Sequence, residues 1–234
     1  MFNGQISSLS DKLGFRQWVG ENNSLDNWDP VEFKNFVTYY DKNNDDVYFV
    51  NKNTALVYSE LLGQFTSFMS YGQVPGMFNI NNDFYAIKNG KIWEQFAGAY
   101  NYIFGEYCPY SVTFISNADE SYDKIFNTVE FRADCWDKDG LLASGHTFDT
   151  LEVWNEYQKG VSSLTYLEAR PSPLKKKFRV WRANVPRANT DWNGVKAKNK
   201  MDRIRNTWAY VKLSMNEENT DRMEFHDMIV HYFV

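Results

Sequence analysis

The stretch from Phe36 to Tyr71 constrains the fold more than any other part of the chain. It contains four short runs rich in Val, Tyr, Phe and Thr, which favour β-strands, and the polar segments between them hold residues that favour turns. The four predicted strands are Phe36–Tyr40, Val47–Val50, Ala55–Ser59 and Gln64–Met69. Four strands in so short a span predict an antiparallel meander, the unit of a propeller blade or an open sheet.

Two hairpins can be predicted to the level of strand register. If Asp41 and Asp46 close the first loop, the facing pairs are Tyr39 with Tyr48, Val37 with Val50 and Thr38 with Phe49. Further along, Asn89-Gly90 supplies the positive φ angles of a type I′ turn. That turn pairs Ile87 with Ile92 and Ala86 with Trp93.

The chain is predicted to have three parts: a weakly patterned segment (1–35), a propeller-like meander (36–104) and a β-sandwich (106–234). Within 1–35, Asp29–Glu32 fits either a helix start or an extended entry into the first strand. The sandwich strands are predicted at Ser111–Ser116, Lys124–Trp136, Phe148–Tyr157, Lys177–Ala183, Trp208–Met215 and Glu224–Val234. The overall class is therefore all-β with little helix.

Alternation assigns faces in the two longest predicted strands. In Lys124–Trp136 it places Ile125, Val129, Phe131, Ala133 and Cys135 on one face and Thr128, Glu130 and Arg132 on the other. In the last strand, Phe225, Ile229 and Phe233 share a face. His226 and His231 are five residues apart, so this alternation sends them to opposite faces, where they could not share a metal ion.

Composition argues for a folded protein without a membrane span. Aromatic residues make up 18% of the chain, which argues against disorder. No apolar run approaches the roughly 20 residues that cross a bilayer, and the first residues lack the pattern of a signal peptide. Cys108 and Cys135 have no metal-ligand or disulfide spacing and are interpreted as free thiols in a reducing compartment.

No catalytic motif is evident, and the sequence predicts no enzymatic activity, no cofactor and no metal site. Two acidic segments resemble calcium loops. Asp41–Asp46 lacks the required glycine, and Lys52 stands where a bidentate glutamate is needed. The segment around Asp137–Gly140 has Cys135 at the first position and His146 at the twelfth. Both segments are therefore interpreted as hairpin loops.

Charge is distributed unevenly along the chain. From Ala169 to Met215 there are thirteen Lys and Arg and two Asp, a net +11, which leaves −16 on the remainder. Such asymmetry fits a nucleic-acid surface, complementary faces of a self-associating subunit or an ordinary solvated face. The candidate subunit-interface or polyanion-contacting residues are Arg179, Arg182, Arg203 and Arg205. Arg179 and Arg182 are predicted to lie on opposite faces of one strand, FRVWRA.

Several segments, in their order and wording, resemble the C-terminal portion of the muzzle (tail stabilisation, nozzle-like) proteins of crAss-like podoviruses. They include YDKNNDDVYFVNKNTALVYSELLGQFTSFMSY, FYAIKNGKIWEQF, YDKIFNTVEFRADCWD, TFDTLEVWNEYQ, LKKKFRVWRANVPR, DRIRNTWAYVKLSM and MEFHDMIVHYF. The resemblance covers about residues 30–234. Proteins of this family are several times longer than this chain.

The resemblance implies a non-enzymatic structural component of a phage short tail, made in the host bacterial cytoplasm and located in the virion tail. It would sit in a ring of its own copies with other tail proteins at the tail exit and help to retain the genome until ejection, with possible non-specific contact with phage DNA. The alternative is a carbohydrate-binding β-sandwich that recognises a receptor. A glycoside hydrolase is a third hypothesis, for which the sequence offers no defensible acid pair.

Overall fold

The computed structural model describes residues 15–22, 37–51, 54–71, 74–166, 173–191, 194–195, 197 and 200–234. Nearly all regular structure in these residues is antiparallel β-strand, alongside the helix α1 (Phe15–Asn22), so the predicted all-β class is confirmed. No helix within these ranges is long and apolar enough to cross a membrane. The segment Asp29–Glu32 lies outside the described residues.

The chain divides into two compact units, residues 1–97 with 103–106 and residues 98–102 with 107–234. The first unit contains the meander, whose strands are hydrogen-bonded in sequence order. The strands are β1 (Val37–Asp41), β2 (Asp46–Val50), β3 (Ala55–Ser59) and β4 (Gln64–Met69). The predicted register is confirmed, because Tyr39 pairs with Tyr48, Val37 with Val50 and Thr38 with Phe49.

The meander is covered on both faces at β3, where all five positions are buried, whereas β1 and β4 keep exposed positions. On one face, Phe15 of α1 packs against Phe49 and Phe65, with ring centroids 4.8 and 5.3 Å apart. On the other face, Tyr48 and Val57 join an apolar cluster with residues of the next sheet. The middle of the meander is therefore packed on both sides, while its outer strands remain partly exposed.

The next sheet has three strands, β5 (Gly76–Ile80), β6 (Asp83–Lys88) and β7 (Lys91–Glu94). Asn89 and Gly90 have φ angles of 53° and 71°, as a type I′ turn requires. Ile87 pairs with Ile92 and Ala86 with Trp93, which confirms the predicted hairpin. A two-stranded sheet follows, formed by β8 (Tyr102–Ile103) and β9 (Glu106–Tyr107).

The second unit contains two sheets packed around one apolar core. The first sheet has the strand order β10-β19-β12-β13-β16-β17. Its strands are β10 (Tyr110–Ser116), β12 (Thr150–Trp154), β13 (Lys159–Ser163), β16 (Thr190–Asp191), β17 (Gly194–Val195) and β19 (Ala209–Met215). The second sheet has the order β14-β15-β11-β18, and β20 also pairs with β11. Its strands are β11 (Lys124–Trp136), β14 (Leu174–Lys177), β15 (Val180–Asn184), β18 (Arg205–Asn206) and β20 (Arg222–Phe233).

The core between the two sheets has the alternating inward pattern of a sandwich. Val129 and Phe131 of β11 are fully buried in the same cluster as Leu151 of β12 and Val211 of β19. Trp181 of β15 is also fully buried, and its indole nitrogen donates to the Ala133 carbonyl at 3.1 Å. The polar atom of this large side chain is thereby satisfied inside the core.

Two bulges interrupt the alternation on which the predicted faces rested. Asn127 is an extra residue on β11, and His226 is an extra residue on β20. The first bulge puts Phe126 in the core instead of Ile125, which pairs with the exposed Phe233. The second separates Phe225, which packs on the core, from the exposed Ile229. The predicted single alternation is therefore wrong in both strands.

The predicted strand Lys177–Ala183 is confirmed from Val180 onward, but its continuity with Lys177 is wrong. Phe178 and Arg179 form a tight turn between β14 and β15, and Phe178 has a φ angle of 57°. Lys177 pairs with Val180 across this turn. Because the chain reverses here, Arg179 belongs to the turn and not to the strand that carries Arg182.

Candidate functional site

The outer face of the second sandwich sheet carries an ordered set of ion pairs. Glu130 and Asp134 lie on the same face of β11. Arg182 approaches Glu130 with 3.3 Å between its Nε and a carboxylate oxygen, and Arg179 forms an ion pair with Asp134. The prediction that Arg179 and Arg182 lie on opposite faces is wrong, because the turn at Phe178 brings both to the outer face.

The same two carboxylates also contact the two histidines of β20. His226 Nε2 lies 3.0 Å from Asp134, and His231 Nε2 lies 3.4 Å from Glu130. Because the bulge at His226 shifts the strand by one residue, both histidines face outward, so the prediction of opposite faces is wrong. Each acid therefore contacts an arginine from β15 or the turn before it on one side and a histidine of β20 on the other.

Arg203 and Arg205 are in a different setting. Their backbones are held by two side chains: Gln158 bonds the Arg203 carbonyl and the Arg205 amide, and Asn155 bonds the Arg205 carbonyl. Both arginine side chains are exposed, and neither forms an ion pair with another described residue. Of the four predicted arginines, these two are available for external contacts. Other members of the basic stretch, Arg170, Lys196 and Lys198, lie outside the described residues.

A thiol, an imidazole and a carboxylate meet at one end of the same sheet. Cys135 lies near the end of β11, His146 in the loop before β12, and Asp221 directly before β20. The thiol sulfur is 3.7 Å from Asp221 Oδ2, and His146 Nδ1 is 3.1 Å from the same oxygen. The three candidate ligand atoms all lie within 4.8 Å of one another. Cys135 is buried and His146 is exposed, so the cluster reaches from the core to the surface.

Local hydrogen bonds fix the segments that carry this cluster. Asp137 Oδ1 accepts the amides of Asp139 and Leu141, each at 2.9 Å, which closes the turn between Cys135 and His146. On the other side, Asn219 Oδ1 accepts the Asp221 amide at 2.7 Å. Burial, together with the Asp221 carboxylate, raises the pKa of Cys135 to about 12, so its thiol is protonated and donates to that carboxylate.

Sequence reasoning noted Cys135 and His146 at the two ends of an acidic loop but did not identify the cluster. The third member, Asp221, is 86 residues away from Cys135 along the chain. Because such a pairing depends on how β11 and β20 align, spacing rules for metal ligands could not have found it. The cluster is recognisable only from the contact between the two longest strands, which is a tertiary feature.

The first acidic loop is a hairpin turn with its carboxylates engaged. The buried Asp41 accepts the Asn43 amide at 2.9 Å and the Asn44 side-chain amide at 2.7 Å. Asp45 accepts the Tyr40 hydroxyl at 2.7 Å. The bond from the Asn43 amide to Asp41 is that of an Asx turn.

An open cleft of about 490 Å³ lies beside this loop in the first unit. Its lining combines acids and amides with aromatic side chains, including Asp83, Asn82, Glu94, Phe84 and Phe96. Phe96 is exposed. Hydrogen-bonding groups next to an exposed aromatic ring provide the chemistry that sugars bind.

Comparison with known proteins finds two family models along the chain. The model described as "Crassvirus muzzle protein" matches residues 1–90, and "Crassvirus muzzle protein C-terminal domain" matches residues 98–188. The protein named "Muzzle protein" of Bacteroides phage crAss001 is 63% identical over 233 residues. That match covers 100% of this chain and 16% of the relative, so the chain spans about a sixth of the relative's length.

Proposed function

From the premise that this chain belongs to the crassvirus muzzle protein family and is a structural component of the phage virion, we propose that it forms part of a ring at the exit end of a short tail. In that position it helps to retain the genome until ejection. Its copies contact one another and other tail proteins. It is made in the host cytoplasm before assembly.

The observation that carries the proposal is the 63% identity along the whole chain. Because this identity runs along the whole chain, the chain and its counterpart in the longer relative are expected to share their fold and the interfaces built on it. The chain spans 16% of that relative, and ring formation and genome retention are therefore proposed for the assembly to which it contributes.

The ion pairs of the outer sheet face support a structural role without enzymatic activity. A general acid or base needs a carboxyl group that is free to exchange a proton with substrate. Glu130 and Asp134 are each engaged by an arginine and approached by a histidine within the fold. Both acids therefore serve the packing of neighbouring strands. A screen against polysaccharides is expected to show no hydrolysis, and turnover would refute this point.

Quantitative mass spectrometry of purified virions tests the structural role. Peptides from both units are expected in multiple copies per particle, in a constant ratio to other tail proteins. Virions that lack these peptides would contradict the proposal. If the peptides belong to a longer polypeptide, the ratio also gives the copy number of that polypeptide.

Carbohydrate recognition is the second candidate function, and the cleft lined by Asp83, Glu94 and Phe96 favours it. This cleft belongs to the first unit, whereas the sequence placed sugar binding in the sandwich. A glycan array with this chain separates the two functions. Binding to one class of glycan that is lost in Phe96→Ala would support recognition, and an absence of binding would leave the structural role alone.

A further inference from the structure

We propose that Cys135, His146 and Asp221 form a Zn²⁺ site that fastens two loops of the sandwich unit to the end of β11. The three side chains come from separate segments, and their ligand atoms already lie within 4.8 Å of one another. Nothing in the resemblance or in the family matches assigns a metal to these residues. The assignment departs from the sequence-based expectation that no metal is bound.

Two of the three separations between the ligand atoms are close to those around a tetrahedral zinc ion, and the third is within 4.8 Å. Zinc binds thiolate sulfur at about 2.3 Å and imidazole nitrogen or carboxylate oxygen at about 2.0–2.2 Å. Two tetrahedral ligands at those lengths are about 3.3–3.6 Å apart. The observed separations from Asp221 Oδ2 are 3.7 Å to the Cys135 sulfur and 3.1 Å to His146 Nδ1. His146 is exposed, so its ring can move to bring the nitrogen to the matching distance from the Cys135 sulfur.

The donor set selects zinc over the common oxygen-binding cations. A thiolate is a soft ligand that Ca²⁺ and Mg²⁺ do not favour, whereas zinc accepts sulfur, nitrogen and oxygen together. One thiolate and one carboxylate balance the two charges of the ion. Binding breaks the S–H bond of Cys135, forms the Zn–S bond and releases the proton to solvent. Water takes the fourth position.

The position of the cluster indicates what the ion does. Cys135 is on the core face of β11, and Asp221 directly precedes β20, so the ion would hold these paired strands together at their common end. His146 would attach the loop between β11 and β12 to the same point. A metal held by residues distant in sequence stabilises the folded state because the unfolded chain cannot assemble the site.

The test uses the whole chain, purified under reducing conditions and stripped with a chelator. Zinc content after equilibration with buffered Zn²⁺ is expected to be about one ion per chain, and the thermal unfolding midpoint is expected to rise with Zn²⁺ and return with EDTA. Replacement by Co²⁺ gives a second readout, because a thiolate-to-cobalt charge-transfer band reports sulfur ligation and strong visible bands report tetrahedral geometry.

Matched variants identify the ligands. His146→Ala and Asp221→Asn are expected to weaken zinc binding by about 100-fold or more, since loss even of outer-shell partners costs about 10–100-fold. His231→Ala, Asp227→Asn and Cys108→Ser are the controls and should bind as the parent does. Cys135→Ser should abolish the sulfur-to-cobalt band. Because Cys135 is buried, His146→Ala decides the matter if Cys135→Ser does not fold.

Two results would overturn the assignment. The first is a parent chain that retains no zinc and shows no midpoint shift at Zn²⁺ concentrations well above the protein concentration. The second is zinc binding that is equal in the parent and in His146→Ala, with no sulfur-to-cobalt band, which would locate the metal elsewhere.

Discussion

Carboxylates at single positions hold the loops of the sandwich unit in place. Asp149 is the clearest case, because its two oxygens accept hydrogen bonds from the Glu217 amide at 2.7 Å, the Asn216 side chain at 2.9 Å and the Thr150 hydroxyl at 2.6 Å. Asp137 closes another turn in the same manner. Since ionised carboxylates accept stronger hydrogen bonds than neutral acids, these loops depend on charge.

Asp149 predicts a specific loss of stability in acid. Partial burial acts to raise its pKa, but the hydrogen bonds from Thr150, Glu217 and Asn216 outweigh burial and lower the pKa below its ordinary value. A lowered folded-state pKa adds stability above the unfolded pKa of about 3.9, and that stability disappears as pH falls through the folded pKa. Asp149→Asn should therefore be less stable than the parent at pH 7.

Urea unfolding of both proteins from pH 7 to pH 2 measures this effect. The difference in unfolding free energy between the parent and Asp149→Asn should shrink as pH falls below about 4. Asp123→Asn, at an exposed acid, is the control and should match the parent throughout. A difference between the parent and Asp149→Asn that is constant with pH would contradict the assigned role.

Gly160 is a second residue that the fold constrains, because there is no room for a side chain at this position. A Cβ atom there would lie 2.6 Å from the Arg187 carbonyl oxygen and 2.8 Å from that of Pro186, and neither backbone atom can move away cheaply. Gly160→Ala is expected to lower the unfolding free energy by about 1–3 kcal/mol, the usual cost of overpacking. Gly145→Ala, which meets one ring atom at 4.0 Å, is the control. Equal urea midpoints for the two variants would refute the close approach of β13 to the Pro186–Arg187 segment.

At the scale of strands, the sequence predicts register where side-chain pairs and turn chemistry agree. The pairs Tyr39–Tyr48 and Ile87–Ile92 were predictable because an acidic loop and an Asn-Gly turn fix the two hairpins. The faces of β11 and β20 were not, since the bulges at Asn127 and His226 each change the alternation. A bulge depends on how two distant strands meet, and local pattern carries little information about that.

The outer-face ion pairs also combine a part that the sequence predicts with a part that depends on tertiary pairing. Arg179 and Arg182 were identified as notable residues from charge alone, but their partners Asp134 and Glu130 followed from tertiary pairing. The tight turn at Phe178 was missed because a bulky aromatic at positive φ is uncommon. Charge patterning therefore located the surface, and the structure supplied its geometry.

The Asn89-Gly90 turn gives a prediction at this scale. Gly90→Val places a β-branched residue at a φ of 71°, where steric conflict arises within the residue itself because no other atom lies within 4 Å of the added Cβ. The expected loss is about 1 kcal/mol or more. Gly76→Ala on the neighbouring strand, at an ordinary φ with Ile87 at 3.5 Å, is the control. An unfolding midpoint unchanged by Gly90→Val would contradict the type I′ turn.

At the scale of the whole molecule, the candidate arginines of the basic stretch fall into two pairs that differ in their contacts. Arg179 and Arg182 are used within the fold, and Arg203 and Arg205 project from backbone held by Gln158 and Asn155. A rigid backbone with exposed cations suits a contact with an acidic surface of a neighbouring subunit. The remainder of the chain has a net charge of −16 and so an excess of the acidic groups that such a contact would need.

Charge reversal separates these two groups. Arg203→Glu with Arg205→Glu should leave the unfolding free energy within about 0.5 kcal/mol of the parent, as exposed substitutions usually do, yet impair ring formation or incorporation into particles. Arg179→Glu with Arg182→Glu, an equal change in charge, should lower the unfolding midpoint because new acids would face Asp134 and Glu130. Any DNA affinity should be weak, salt-sensitive and without sequence preference.

Two outcomes would count against the assembly role. Normal particle incorporation of the Arg203→Glu, Arg205→Glu variant would remove the proposed contact. Loss of tight binding to one DNA sequence in that variant would instead indicate sequence-specific recognition. The described residues of the basic stretch include no helix that could read a DNA groove.

Cryo-electron microscopy of purified virions tests the central claim most directly. A reconstruction that applies the symmetry of the tail is expected to show a ring at the tail exit, with density into which the sandwich unit fits as several equivalent copies. The 13-residue strand β11 paired with β20 along its length is the feature to recognise. A tail exit whose density accommodates neither unit, or these units found only elsewhere in the particle, would contradict the account.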